Sequence, residues 1–258
     1  MQRGYQVFAS ARNDEDLEKT QKLGLNGVFL DLNKPNSISA AVEHVLTQTD
    51  GKLFALFNNA AYGQPGAVED LSREVLRQQF ETNLFGTHEL TSQVIPVMRK
   101  QGYGRIIQNS SVLGLAALPY RGAYNASKFA LEGLSDTLRL ELAGSGIHVS
   151  LIEPGPIESR FRANAYAMFK QNIDREHSVH QDYYRGVEAR LAKQGHAQPF
   201  TLPPEAVLKK VIHALESPRP KARYYVTVPT YLFGYARRLF STRMLDRILL
   251  KVSSGENK

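Results

Sequence analysis

Three residues have the types and spacing to do chemistry together. Tyr124 and Lys128 stand four positions apart in YNASK, and Ser111 precedes Tyr124 by thirteen. On a helix, positions i and i+4 share a face, so the phenol and the ammonium point into one cleft. A free tyrosine titrates near 10, too high to exchange a proton at neutral pH. A lysine cation nearby favours the phenolate and lowers that value. A serine hydroxyl beside the pair can hydrogen-bond the oxygen of a carbonyl or alcohol. The set suits proton transfer to oxygen while a hydride moves to or from carbon.

The chain carries its own control for this reading. Tyr166 and Lys170, in YAMFK, repeat the spacing, but Glu153 rather than a hydroxyl stands thirteen residues earlier. Tyr166 is therefore read as helix surface or pocket wall, and Tyr124 as the functional tyrosine.

The elements that must position these residues follow from pattern. Ile106 and Ile107 are strand material running into Ser110 and Ser111. Apolar runs of strand length are expected at Tyr5–Ser10, Gly27–Leu30, Leu53–Phe57, His148–Glu153 and Ala222–Val228, with Leu53–Phe57 buried on both faces of a parallel sheet. Helices are expected at Asp14–Leu23, closed by Gly24, at Asn36–Thr49, capped by Asn36 or Ser37, and from Ser72 to about Lys100. Two more should cover Pro203–Glu216 and Thr230–Lys251. Strands alternating with helices predict an α/β fold with a doubly wound parallel sheet, Rossmann-like and in a single domain.

Composition narrows the class. A chain of 258 residues, 42% hydrophobic, can bury one sizeable core. No run of eighteen apolar residues occurs and Met1–Arg12 has no apolar leader core, so a cytoplasmic protein is expected. Without cysteine there is no disulfide, and the seven histidines lack ligand spacing, so no metal site is expected. Residues 217–258 hold nine Lys/Arg against Asp246 and Glu256, which equals the net charge of +7 for the whole chain. The basicity belongs to the tail, which argues against a nucleic-acid binder. In that tail Leu245, Ile248, Leu249 and Val252 form an apolar stripe, and Arg243, Arg247 and Lys251 a basic one. Such a helix lies on an anionic membrane surface as a peripheral contact, or packs on its own domain or a partner subunit.

Ser111, Tyr124 and Lys128 in SSVLG…YNASK resemble the active-site segment of the short-chain dehydrogenase/reductase family. The similarity runs from about Tyr5 to Gly155, more loosely to Val228, and is nearest to members acting on retinoids, steroids and other apolar carbonyls. The resemblance implies an oxidoreductase that moves a hydride between NADP(H) and an apolar aldehyde, ketone or alcohol, and a homo-oligomer. Tyr124 would exchange the proton, Lys128 would lower its pKa and hold the ribose, and Ser111 would orient the carbonyl. Asn83, in ETNLFGT, would hold a water that links Lys128 to solvent. After the first visible strand stands Ala11-Arg12 where NAD-binding members carry an acid, so Arg12 would take the 2′-phosphate of NADP; the alternative is an arginine solvated at a strand end. Asp31 and Leu32 would lie against the adenine. In Asn58-Asn59-Ala60-Ala61 the first Asn would tie strands together and the turn at Ala60 would approach the cofactor. Ala61 departs from the family's glycine there. Pro154, Gly155, Ile157 and Ser159 match the loop beside the nicotinamide. Residues 1–160 would be the cofactor and catalytic core, 160–203 a substrate lid with Phe161, Met168, Phe169 and Tyr183, joined by Leu113, Leu115 and Leu118. Residues 230–252 would be the basic amphipathic helix.

One family feature is missing from the sequence. A glycine-rich turn, Thr-Gly-x-x-x-Gly-x-Gly, should follow the first strand and cradle the phosphates. None of the 19 glycines falls at i, i+4, i+6. The chain is thus expected to lack the first strand and its turn, leaving a gap between the strands at Tyr5–Ser10 and Leu53–Phe57. The same absence supports the alternative function, an inactive relative that binds partners as a scaffold.

Overall fold

The computed structural model describes residues 2–193, 195 and 199–256. Two neighbouring isoleucines show how the main sheet is built. Ile106 and Ile107 lie on β4 (Gly104–Asn109) and point to opposite faces, as consecutive strand residues must. Ile106 packs with Val94, Met98, Leu142 and Val149, and Ile107 with Ile152, Val211, Ala214 and Tyr224. Helices therefore cover both faces. Val94 and Met98 of the first set come from α4 (Gly86–Gln101), and Val211 and Ala214 of the second from α8 (Glu205–Glu216). β4 pairs in parallel with β3 (Ala55–Asn58) and with β5 (Ile147–Glu153), and β5 pairs in parallel with β6 (Arg223–Tyr225). This is a Rossmann-like doubly wound arrangement.

The sheet is broken where the sequence leads one to expect it. β1 (Phe8–Ala11) and β2 (Asn26–Phe29) form a separate parallel pair, and β1 does not pair with β3. Phe57 on β3 and Phe29 on β2 are 36% and 43% exposed. The expectation that Leu53–Phe57 is buried on both faces is thus corrected: β3 has a neighbour on one edge only.

Helix boundaries show what local signals do. Asn13 caps α1 (Asp14–Lys22) by accepting from the Asp16 amide at 2.8 Å. Ser72 caps α3 (Arg73–Phe80) through the Val75 amide at 3.2 Å. For α2 (Pro35–Gln48), Lys34 is the cap residue with no side-chain bond, and Pro35 occupies the first turn. Asn36 and Ser37 are inside the helix rather than capping it. Ser37 instead accepts from the Asp31 amide at 2.9 Å.

Two long helices expected from pattern are interrupted. Between α3 and α4 the residues Glu81–Phe85 form a π-helical turn. A Cβ on Gly86 would lie 2.0 Å from the Leu32 carbonyl oxygen, so the glycine admits the loop after β2. The tail is two helices, α9 (Val228–Leu239) and α10 (Thr242–Glu256), not one over 230–252. Phe240, extended at φ −101°, ψ 147°, makes the break. Among the described residues no helix is long and apolar enough to cross a membrane.

Candidate active site

Ser111 leaves β4 in extended conformation and caps a short 3₁₀ turn, Val112–Gly114, accepting from the Leu113 amide at 3.1 Å. That turn feeds the chain toward α5 (Gly122–Glu141), whose first turns carry Tyr124 and Lys128. All three are buried, and the Lys128 ammonium lies 5.6 Å from the centre of the Tyr124 ring. Burial pushes the Tyr124 phenol up to about 12, the hydrogen bond with Ser111 working against it. Burial pulls Lys128 down to about 8, opposed by the charge of Glu132. The sequence-based expectation that the lysine charge depresses the phenol is not what dominates here: desolvation does. Lys128 spends its ammonium on the Asn109 carbonyl at 2.7 Å.

Asn83 lies in the π-helical turn, a distortion that often marks a functional position. Its amide nitrogen donates to the Tyr62 carbonyl at 3.0 Å and the Ser127 hydroxyl at 3.1 Å, and its oxygen accepts from the Tyr62 amide. Asn83 thus braces the loop after β3 against α5.

The ends of the parallel strands meet at the same edge, where open α/β sheets bind ligands. Asn58 donates to the Thr91 hydroxyl on α4 at 2.9 Å. The tie between strands is made by its neighbour: Asn109 at the end of β4 donates to Asn59 at 2.6 Å. Ala60 is exposed beside it. Pro154 accepts from the Val112 amide at 2.7 Å, binding its loop to the Ser111 turn. A Cβ on Gly155 would lie 2.2 Å from the Thr227 hydroxyl, so only glycine fits. Ile157 bridges to Leu202, and the Ser159 hydroxyl accepts from the Phe161 amide at 3.3 Å just ahead of α6 (Phe161–Asn172), whose cap residue is Arg160.

The residues expected at the adenosine come from the loops after β1 and β2. Arg12 is exposed after β1, its charge reaching Tyr62 and opposing the rise that burial causes there. Asp31 accepts from the Asn33 amide and faces Lys34 at 3.6 Å, while Leu32 is buried under α4.

Phe161 covers the site, its ring edge-on to Tyr124 at 5.3 Å. Most of the other expected lid residues do something else. Phe169 is buried with Tyr184, Val187 and Leu191 in the core that joins α6 to α7 (Gln181–Ala192). Tyr183 stacks on Tyr120 at 3.7 Å. Leu113 and Leu118 pack against Leu245 and Leu249 of α10, so the tail supports the cleft wall. Tyr166, the control, donates to Glu188 at 2.9 Å and has Lys170 over its ring at 4.5 Å, away from any serine hydroxyl.

Two residues of the site escaped sequence reading, Asn59 and Asn109. The doubled Asn after an apolar run was visible; which of the two faces the neighbouring strand depends on register.

A two-faced parallel sheet with a serine, tyrosine and lysine buried at its ligand-binding edge defines a nucleotide-dependent oxidoreductase class. The family profile described as short chain dehydrogenase matches residues 1–169, and the chain belongs to that family of oxidoreductases. It is similar to the uncharacterized oxidoreductase YbbO of Escherichia coli K12, 44% identical over 246 residues, covering 95% of this chain and 85% of that protein. It is 33% identical to the NADPH-dependent 3-dehydrocapnine reductase of Ornithobacterium rhinotracheale, over 96% of this chain and 89% of the relative. Among solved structures, a variant of actinorhodin polyketide ketoreductase with NADPH superposes with a TM-score of 0.71 at 28% identity, over 87% of each chain.

Proposed function

We propose that this chain interconverts an apolar aldehyde or ketone with its alcohol, using NADP(H). The observation that carries the reading is the buried meeting of Ser111, Tyr124 and Lys128 at the strand ends. When bound, NADP(H) supplies or accepts the hydride. Ser111 orients the substrate oxygen, Tyr124 exchanges the proton with it, and the Lys128 ammonium stabilises the phenolate form. Asn83 holds the proton path, and Phe161 keeps water from the reacting oxygen.

The residues fit the nicotinamide half of the cofactor. Lys128 would hold the ribose, and the Asn109 side-chain oxygen, buried without a partner at the end of β4, offers an acceptor there. Pro154, Gly155, Ile157 and Ser159 form the wall beside it, and Asn58 and Ala60 support the opposite turn. On the adenosine side Arg12 would take the 2′-phosphate, with Asp31 and Leu32 at the adenine. Kinship with an NADPH-dependent reductase supports that choice. The pyrophosphate does not fit α1: its first turn holds Asp14, Glu15 and Asp16, which repel an anion. On this reading one more parallel strand with a glycine-rich turn, set between β1 and β3, would supply the phosphate cradle.

Fluorescence titration of NADPH tests the reading. Grafting such a strand and turn ahead of Met1 should tighten binding and bring carbonyl-dependent NADPH oxidation. A graft that folds but neither binds NADPH nor reduces any apolar carbonyl would favour a scaffold instead.

We propose that the protein is cytoplasmic and a homo-oligomer. The solvent side of α9 is apolar: Val228, Leu232, Tyr235 and Leu239 recur at helical spacing and are all exposed. With Arg238 beside them and Arg243, Arg247 and Lys251 exposed on α10, this surface suits peripheral contact with anionic lipid.

A further inference from the structure

One turn beyond Lys128 on α5 stands Glu132, and one turn further Asp136. The end of β5 adds Glu153 and β6 adds Arg223. A single nitrogen of Arg223, Nη1, donates to Glu132 Oε2 and, at 2.6 Å, to Glu153 Oε1. Its Nη2 donates to Asp136 at 2.6 Å. Asp136 is partly solvated and also has Arg139, so it is held below its ordinary range. That leaves one guanidinium facing two carboxyls that are 6% and 0% exposed.

Two carboxylates resting on one nitrogen are near neighbours, and both cannot ionise readily away from water. Glu153 also keeps one oxygen, Oε2, with no partner. No slack exists for solvent on the Gly114 side: a Cβ there would lie 2.9 Å from both Glu132 Cγ and the Ser110 hydroxyl.

The two acids are not equivalent. Burial pushes both up, but Glu132 has Ser110 and Arg223 against that rise and stands four residues from Lys128. Glu153 is raised further by the Glu132 charge, with only Arg223 in opposition. The Asp136 charge adds to that rise, and Tyr225 of β6, itself pushed up by burial and by the Glu153 charge, also faces Glu153. Whatever proton the cluster holds therefore resides on Glu153.

We propose that Glu153 is a neutral carboxylic acid at neutral pH, and that this leaves Glu132 anionic as the counter-charge that keeps Lys128 an ammonium. Glu132 is then a positioning residue, and Arg223 with Glu153 sets its charge. As pH rises Glu153 releases its proton to solvent, adding negative charge behind Lys128. The consequence for turnover rests on the enzyme reading above; the protonation chemistry does not.

Two measurements test it without turnover. Infrared spectra at neutral pH should show the carbonyl stretch of a protonated carboxylic acid, lost in Glu153→Gln. A missing band in the wild type, or a band that survives in Glu153→Gln, overturns the stored proton. The ε-carbon resonance of labelled Lys128, assigned by its loss in Lys128→Met, should titrate near 8 in the wild type. In Glu132→Gln its midpoint should fall by about one pH unit or more, because an opposite charge has been removed. An unchanged midpoint overturns the coupling. Should Glu132→Gln fail to fold, Glu132→Asp, which withdraws the charge by one methylene, must move the midpoint in the same direction. A protein with both signatures but no NADPH oxidation would defeat the enzyme reading and leave this cluster standing.

Discussion

At the scale of single residues, the chemistry turns on one oxygen and one guanidinium. Tyr124→Phe removes the phenol oxygen from a buried ring that packs on Phe161, so the fold should persist while turnover of the grafted protein falls by about 10² or more. Tyr166→Phe, which loses only a bond to Glu188, should change rate little; retention of most activity in Tyr124→Phe would remove it from the proposed role. Arg12→Ala should weaken NADPH by about 10- to 150-fold, the range of one charge-assisted contact, and leave NADH nearly unchanged. Equal losses would make Arg12 a surface residue. The Ser111–Tyr124–Lys128 spacing was legible because helical geometry makes i and i+4 neighbours. The direction of the Tyr124 shift was not, because it is set by how completely packing removes water, which no spacing encodes. The carboxyl cluster was equally hidden: Glu153 reads as the polar end of an apolar strand, and only the tertiary fold brings Arg223 to it.

At the scale of elements, pattern served well wherever burial is one-sided or continuous. HVSLIE and RIIQN became β5 and β4 because apolar runs between turns have few alternatives in a parallel sheet. The Ser72 cap was legible for the same local reason. The π-helical turn was not: Phe80 and Leu84 keep helical spacing through it, and the close approach of the Leu32 carbonyl to Gly86 beside it is made only by the tertiary fold. The break in the tail was missed because apolar residues continue across Phe240; ahead of it Arg237 donates to the Leu115 carbonyl at 3.1 Å and lies over Phe129. If the α9–α10 surface meets lipid, the protein should sediment with anionic vesicles at low salt and be released as salt screens the charge. Leu232→Ser with Leu239→Ser, both solvent-facing, should reduce sedimentation without lowering the melting temperature. No sedimentation at low salt would leave the tail as a packing element alone.

At the scale of the whole molecule, the separate β1–β2 ladder divides the protein unequally. α1 buries none of its residues. The layer is fastened mainly by Leu32 and Ile38 against Leu90, and by Thr82 donating to Asn33 at 2.7 Å. β4 and β5, by contrast, are clamped on both faces. Such a layer has its own local unfolding equilibrium. Amides of Phe8–Phe29 should exchange with deuterium through a partial opening that leaves β4 and β5 protected, and adding denaturant should change their rates only weakly until global unfolding takes over. Uniform protection across both ladders would show that the break in the sheet does not divide its stability. If Arg12, which rides on that layer, selects between the two dinucleotides, that choice and the reacting centre at Tyr124 would reside in parts of the molecule that breathe at different rates.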